Sequence, residues 1–436
     1  MLEIFEENHE LDETPRAVLV GLDTGTDHSF LHSMEELRAL SEACGMEIVE
    51  SFIQSLPNPN PATFIGSGKL NEIASFCADN DISYCVFEDT LSPAQLKNIN
   101  KSIKCKTYDR TGLILEIFRR RAKSRESRLQ VEEAQLQYMM PRLIGFWEAQ
   151  GRQGGGSGSM SNKGVGETQL ELDRRLIQKR ISELKSELKN IAHDREIQRK
   201  HRNKGTLPLV SLVGYTNSGK STIMNRLIRM SEDSADTKEV FEKDMLFATL
   251  DTYVRRINVP NERPFLLSDT VGFINKLPHQ LVNAFHSTLE EAKYADLILE
   301  VIDGHDEHHL EQMAVTAETL KDLGCGDIPR IQVFNKADLY MTPMSFPKVD
   351  GNRIYLSAGT ECGLNELISV IISTIYANEK ETSFLIPFTN GSIVNDLNEH
   401  TQVIDTQYLP EGVLIKAVCS ESIIGKYQSY EYRQDS

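Results

Sequence analysis

Three patterns in the sequence predict an α/β protein: a phosphate-loop domain preceded by a small parallel α/β domain with a long helical hairpin, and followed by a small α+β C-terminal domain. The first is an apolar run at 207–213 that stops at a glycine-rich octapeptide and gives way to helical spacing over 222–228. The second is the alternation of short apolar runs with amphipathic stretches between residues 17 and 108, as a parallel sheet requires. The third is a pair of long stretches, the first with leucines seven apart and the second with apolar residues spaced by four and three, which pair as antiparallel helices. On these patterns the chain divides into residues 1–127, 128–205, 206–380 and 381–436.

At 436 residues the chain exceeds one ordinary domain and can bury more than one core. Its 40% hydrophobic and 25% charged residues are globular proportions, and no apolar run approaches the roughly 20 residues that span a bilayer. The start, MLEIFEENHELDE, is acidic and lacks a basic-then-apolar leader, so the expected location is the cytoplasm. A share peripheral to the membrane is compatible with that, and a monomer is expected. Seven cysteines (Cys44, Cys77, Cys85, Cys105, Cys325, Cys362 and Cys419) form no C-x-x-C pair and read as reduced thiols. The net charge of -17 argues against wholesale coating of nucleic acid, while a local basic surface can still bind phosphate.

In chain order, 17–22 (AVLVGL) reads as a buried strand and 33–44 as an amphipathic helix, followed by strands at 46–53, 84–87 and 105–108. Helical patterns at 70–77 and 93–98 separate them. The stretch FIGSGK contains a tempting GSGK, but a phosphate loop needs glycine five residues before Gly68, where Thr63 stands. A structural turn into a helix is the reading there. From Lys101 the chain turns basic: Lys101, Lys104, Lys106, Arg110, Arg119, Arg120, Arg121, Lys123, Arg125 and Arg128 stand against Asp109, Glu116 and Glu126. A solvated helix face and an RNA-phosphate surface both fit this run.

The hairpin follows, with Leu129, Leu136 and Leu143 in its first helix and a heptad seam of Ile177, Ile181, Leu184, Leu188 and Ile191 in its second. Between them, 151–167 (GRQGGGSGSMSNKGVGE) has no apolar anchor, so it is either a passive tip or a finger that orders on a partner. Arg142, Arg152 and Lys163 favour an anionic partner, and 195–205 reads as a polar linker.

The octapeptide GYTNSGKS fits G-x-x-x-x-G-K-[ST] at every fixed position, between a strand and a helix as that motif requires. Gly214, Asn217, Ser218 and Gly219 let backbone N–H groups curl around phosphate oxygens, Lys220 neutralises the outer phosphates, and Thr222 opens the helix. Ser221 is placed to coordinate magnesium. In FATLDT at 247–252, Thr249 is the candidate to complete magnesium coordination, with Thr252 as second choice. The strand 265–268 leads into DTVG, where Asp269 suits a water-mediated metal contact and the Gly272 N–H can sense a γ-phosphate. After strands at 297–302 and 331–334, Asn335, Lys336 and Asp338 form N-K-x-D. The Asp338 carboxylate matches guanine N1–H and its exocyclic amine, which moves the reading from ATPase to GTPase. The strand 354–356 ends in Ser357, Ala358 and Gly359, a loop suited to guanine O6. GTP and GDP are thus the expected substrate and product, with Mg2+ as cofactor. His305, His308 and His309 read as polar residues opening a helix rather than metal ligands. The tail carries an apolar run at 384–388, an amphipathic stretch at 393–397 and an alternating strand at 412–418.

In these motifs the chain resembles the HflX family of translation-associated GTPases, within the larger Obg-like group, and the likeness runs nearly end to end. Besides the nucleotide motifs, FIGSGKLNEI, LSPAQLKNI, DRTGLILEIF, LQVEEAQLQYMMPRL, GETQLELDRR and DTVGFINKLPHQLVNAF carry the likeness. The resemblance implies a GTPase that binds the large ribosomal subunit and its rRNA and splits stalled or idle ribosomes. It also implies that the N-terminal domain and hairpin approach rRNA, with Arg119, Arg120, Arg121, Lys123, Arg152 and Lys163 as contact candidates. Gly359 departs from the lysine common after the serine-alanine pair, and GHDEHH from a simpler turn. Phe273 stands where many GTPases carry the glutamine that orients the attacking water, and phenylalanine cannot orient water by hydrogen bonding. The water-positioning residue is therefore unassigned. The alternative reading is an RNA-binding or RNA-remodelling scaffold whose affinity nucleotide controls.

Overall fold

Six consecutive buried residues in β1 (Arg16–Asp23) demand cover on both faces, which only an interior strand with helices on either side provides. In the computed structural model, which describes residues 14–25, 29–153, 162–202, 207–231, 247, 253–260, 262–274, 291–377 and 379–432, β1 has that place. It lies between β2 (Glu47–Ser55) and β3 (Tyr84–Phe87), and β4 (Lys106–Asp109) follows β3, every pair parallel. One face packs on α2 (Ser67–Asp79) and α3 (Pro93–Ser102), through Ile73, Cys77 and Ile99. The other packs on α1 (Phe30–Ala43) and α4 (Arg110–Arg121), through Leu37, Leu40, Leu113 and Phe118. A reciprocal capping box of Ser92 and Gln95, with Pro93 in the first turn, starts α3. The GSGK stretch is the opening of α2, with Gly66 extended at its N-cap.

Two antiparallel helices follow, α5 (Arg125–Gln153) and α6 (Asn162–Arg202). Ile181 and Leu184 are buried against a first helix that buries Leu129, Val131 and Ala134. Arg180 grips Glu132 at 2.7 and 2.9 Å, and Arg195 meets Glu126 at 2.9 Å. Two expectations are corrected. The segment at 151–167 is shorter as a loop, because 151–153 and 162–167 are helical and only 154–161 lies outside the described residues. The polar linker expected at 195–205 is helix to Arg202. Polarity was a poor guide there, since Lys, Arg, Glu and Gln are good helix formers and extending an existing helix is easy.

The second sheet has the order β10-β11-β9-β8-β5-β7-β6. Its strands are β5 (Leu209–Gly214), β6 (Tyr253–Ile257), β7 (Phe265–Asp269), β8 (Leu297–Asp303), β9 (Arg330–Asn335), β10 (Lys348–Asp350) and β11 (Arg353–Tyr355). The five inner strands run parallel and both edge strands antiparallel. Helices α7 (Lys220–Met230), α8 (His309–Asp322) and α9 (Leu364–Ile375) complete this layer. The tail is an antiparallel sheet in the order β12-β14-β13, from β12 (Lys380–Ile386), β13 (Gln402–Leu409) and β14 (Gly412–Cys419), with α10 (Gly391–His400) and α11 (Glu421–Lys426). Phe388 lies past the strand in a 3-10 turn and is exposed. No helix among the described residues is long and apolar enough to cross a membrane.

Candidate nucleotide-binding site

Strand β5 delivers the octapeptide to the edge of α7, and its glycines are dictated by close approach. Gly214 has φ +144° and a Cβ there would stand 2.2 Å from the Val301 carbonyl oxygen. Gly219 has φ +96°, and its Cβ would stand 2.1 Å from Asn335 Nδ2. Asn217 also sits at positive φ. The buried Asn335 side chain braces two loops at once: Nδ2 donates to Ser218 O at 2.9 Å, and Oδ1 accepts from Ala358 N at 3.0 Å. Lys220 is buried, and its ammonium donates to Gly214 O at 3.0 Å and Tyr215 O at 2.6 Å. An ammonium has three donors, and two are committed to these carbonyls. Burial pushes the Lys220 pKa down to about 8, with the Asp269 charge opposing.

The Ser221 hydroxyl donates to Asp269 Oδ2 at 2.9 Å, so two of the three expected magnesium residues are in contact at the start of α7. A hydroxyl and a buried carboxylate beside a phosphate loop are the oxygen donors a hard cation takes, and the site fits magnesium. Thr222 continues α7. Thr249, and Thr252 behind it, lie outside the described residues. Gly272 packs directly on the loop: a Cβ there would stand 2.9 Å from Thr216 Cα and 3.1 Å from Lys220 Nζ. Thr216 N donates to Phe273 O at 2.8 Å and Phe273 N to Gly214 O at 3.1 Å, joining the two loops as a short bridge. The Phe273 ring is buried in the core that also holds Leu113 and Phe118 of the N-terminal layer.

At the N-K-x-D stretch, Asp338 is exposed in a 3-10 turn (Ala337–Leu339) just after β9. Lys336 is left-handed at φ +59° and pairs with Asp303 at 2.7 Å. Ser357 is buried and bridges to Cys362. The Ala358 N–H is the one bound to Asn335. A Cβ on Gly359 would meet only Ser357 Oγ, at 3.9 Å, so nothing in the fold requires glycine there. One residue that no motif marks is Arg226 on α7: it donates to Ala358 O at 3.3 Å and Gly359 O at 3.4 Å, and pairs with Glu361 at 2.7 Å.

The basic candidates are largely engaged. Both Arg119 bonds go to Glu116 at 2.9 Å, and Arg120 binds Glu116 at 2.8 Å and the Cys44 carbonyl. Burial would raise the Glu116 carboxyl, but the two guanidiniums outweigh it and hold its pKa below the usual value. Arg121 is half-buried and Lys123 exposed. Arg152 and Lys163 fall within α5 and α6, their side chains outside the described residues. Arg142 is a correction: it does not face a partner but stacks 3.6 Å from the Tyr138 ring centroid and pairs with buried Asp109 at 2.9 Å. Asp109 also accepts from Leu91 N, Gly112 N and Tyr138 Oη, fastening α5 to the N-terminal sheet. His308 caps α8 and stacks on His32 at 4.1 Å. No group of three or more metal-binding side chains occurs among the described residues.

Against known proteins, the family models described as GTP-binding GTPase N-terminal, GTP-binding GTPase Middle Region and 50S ribosome-binding GTPase match residues 31–119, 121–202 and 209–336. The GTPase HflX of Caldanaerobacter subterraneus subsp. tengcongensis is 40% identical over 402 residues, 92% of this chain and 90% of its own. That of Escherichia coli is 37% identical over 406 residues, 92% of each chain. A solved structure of a GTP-binding protein from Sulfolobus solfataricus in complex with GDP is 26% identical, covers 83% of this chain and 99% of its own, and has a TM-score of 0.45.

Proposed function

The chain belongs to the GTPase HflX family, and from that premise we propose that this GTP-hydrolysing enzyme is a switch that docks on the large ribosomal subunit and dissociates stalled or idle ribosomes. Residues 206–380 are the switch, 1–127 and the hairpin 128–205 face the ribosome, and 381–436 form an appended sheet. It works as a monomer in the cytoplasm. The observation that carries the nucleotide part is the contact of Ser221 with Asp269 beside a Lys220 ammonium held by two loop carbonyls. Support for the ribosomal part is the 50S ribosome-binding description of the model matched by 209–336 and the family-like stretches outside it.

In this reading the loop N–H groups from Gly214 to Ser221 take the phosphates, Lys220 neutralises the outer two, and the Gly272 N–H meets the γ-phosphate. Ser221, Thr249 and Asp269 hold magnesium, which supplies charge neutralisation across the phosphates when bound. Asp338 accepts from guanine, Asn335 holds the loops together, and Ser357, Ala358 and Gly359 close over the base. Water attacks the γ-phosphorus, the bond to the β,γ-bridging oxygen breaks, and GDP and phosphate leave. Phe273 contributes no hydrogen bond to that water, so the aligning group is another residue, a main-chain group or part of the ribosome, and turnover alone is slow. Co-sedimentation of the full chain with large subunits tests the proposal: retention with a non-hydrolysable GTP analogue and release with GDP is expected. Absence from the pellet with either nucleotide would overturn the ribosomal reading.

A further inference from the structure

Three polar side chains are buried together where the N-terminal sheet meets the phosphate loop. Arg110 of α4, 2% exposed, pairs with Glu36 of α1, 7% exposed. Glu36 in turn accepts from the phenolic hydroxyl of Tyr215, the second residue of the loop, 6% exposed and 179 residues away. A buried ion pair adds little net stability over apolar residues of the same volume, but it fixes whatever hydrogen-bonds to it. Here that is Tyr215, whose main chain does the site's work: its carbonyl accepts from Lys220 Nζ at 2.6 Å and from Ser218 Oγ at 2.9 Å, and it bridges to Phe273. One residue thus holds the ammonium through its backbone and is itself held, through its side chain, by two helices of the other layer.

We propose that Glu36 is a positioning residue of the nucleotide site, acting through Tyr215 on Lys220. The inference rests on Lys220 as the phosphate counterion. GDP and GTP both present a phosphate to that ammonium, so the Glu36 contact strengthens binding of both, and it does so equally in ground state and transition state. Removing it therefore raises KM and Kd and leaves kcat nearly alone. A contact that only supported folding would reduce the active fraction instead, lowering apparent kcat at constant KM.

The test uses the full chain. Tyr215→Phe deletes one hydroxyl and keeps the ring's packing; GDP Kd and GTP KM are each expected to rise about tenfold, equivalent to 1.4 kcal/mol, with kcat changing by less than about twofold. Because Glu36→Ala alone takes a carboxylate from the buried Arg110 charge and threatens folding, the second variant replaces the pair with apolar residues, Glu36→Met with Arg110→Met. It is expected to show the same rise, and Tyr215→Phe added to it is expected to change nothing further. Constants within about twofold of wild type in Tyr215→Phe overturn the proposal, as does a full additional loss in the triple variant. Lys220→Ala separates the two levels. If it abolishes binding while Tyr215→Phe does not weaken it, only this inference fails; if it binds normally, the phosphate-loop assignment fails first.

Discussion

Replacing Phe273 with glutamine restores the side chain that many GTPases use to orient water, and here it is expected to yield no catalytic gain. The ring is 2% exposed, within a core that spans both sheets, and its main chain is fixed on both sides by the bonds to Gly214 and Thr216. A glutamine on that backbone inherits the core-facing direction. Losing a fully buried phenylalanine costs about 1.5–3 kcal/mol of transfer free energy. Leaving an amide without partners in that space costs about 1–3 kcal/mol more. For a unit of this size each kcal/mol lowers Tm by about 2–4 °C, so a fall of roughly 5–24 °C is expected in calorimetry. Single-turnover hydrolysis at a temperature where both proteins are folded should then match wild type. A rate raised tenfold or more, with Tm preserved, would show that the side chain reaches the γ-phosphate and would refute the reasoning.

The remaining tests address the cation, the base and the basic helix. Since Lys220 titrates near pH 8 in the free fold, affinity for GDP is expected to fall as pH rises above 8, where binding must take up a proton; a flat profile in isothermal titrations from pH 7 to 9.5 would contradict this. The same depression from 10.5 means the unfolded chain holds that proton longer, so the nucleotide-free fold gains stability between about pH 8 and 10.5, measurable as rising Tm. Asp338→Asn is expected to shift preference from GTP toward XTP, because an amide N–H can donate to the xanthine O2; an unchanged GTP/XTP affinity ratio would remove Asp338 from the base. Arg119→Glu with Arg120→Glu strips Glu116 of these two partners and is expected to destabilise the N-terminal layer by about 1–2 kcal/mol, discounted because both guanidiniums are partly in solvent, and to weaken ribosome pelleting most at low salt, with a shallower salt dependence than wild type because fewer counterions are released. Unchanged pelleting across salt would exclude this helix from the contact.

What was legible in the sequence was whatever a short window can carry. Buried parallel strands announce themselves as apolar runs, and β1, β3, β5, β8 and β9 lie where those runs are. The octapeptide, DTVG and NKAD are local because each must present its own backbone at a strand end. Three edge strands were missed, β6, β10 and β13, which are half-exposed or exposed along most of their length and show no two-residue alternation, whereas the edge strands β2 and β4 lie where strands were expected. Charge was misread where its partner is remote. Arg142 looked available because Asp109 is 33 residues away in sequence, and Arg119 and Arg120 looked like bare surface although Glu116 sits one turn before them. A run of basic residues says how much charge is present, not how much is already neutralised.

The least legible feature is the one that ties the layers together, and it bears on how nucleotide binding can be coupled to a partner. Phe118 at the end of α4 meets Phe247 edge-on at 4.7 Å, and Phe247 immediately precedes the segment carrying Thr249. Phe273 immediately follows Gly272 and shares that core, while Tyr215 reaches Glu36 from the loop itself. Phe247, Phe273 and Tyr215 are therefore joined to α1 and α4 by packed side chains and a buried hydrogen bond. Close-packed interfaces respond by shifting between discrete arrangements, and couplings of about 1–3 kcal/mol between sites are ordinary. A partner that presses on the N-terminal layer therefore needs no residue in the nucleotide pocket to alter nucleotide affinity. By reciprocity, GTP must alter the affinity of that partner by the same factor. Titrating nucleotide against ribosome-bound and free protein would measure that factor, and equal nucleotide affinities in the two states would refute the coupling.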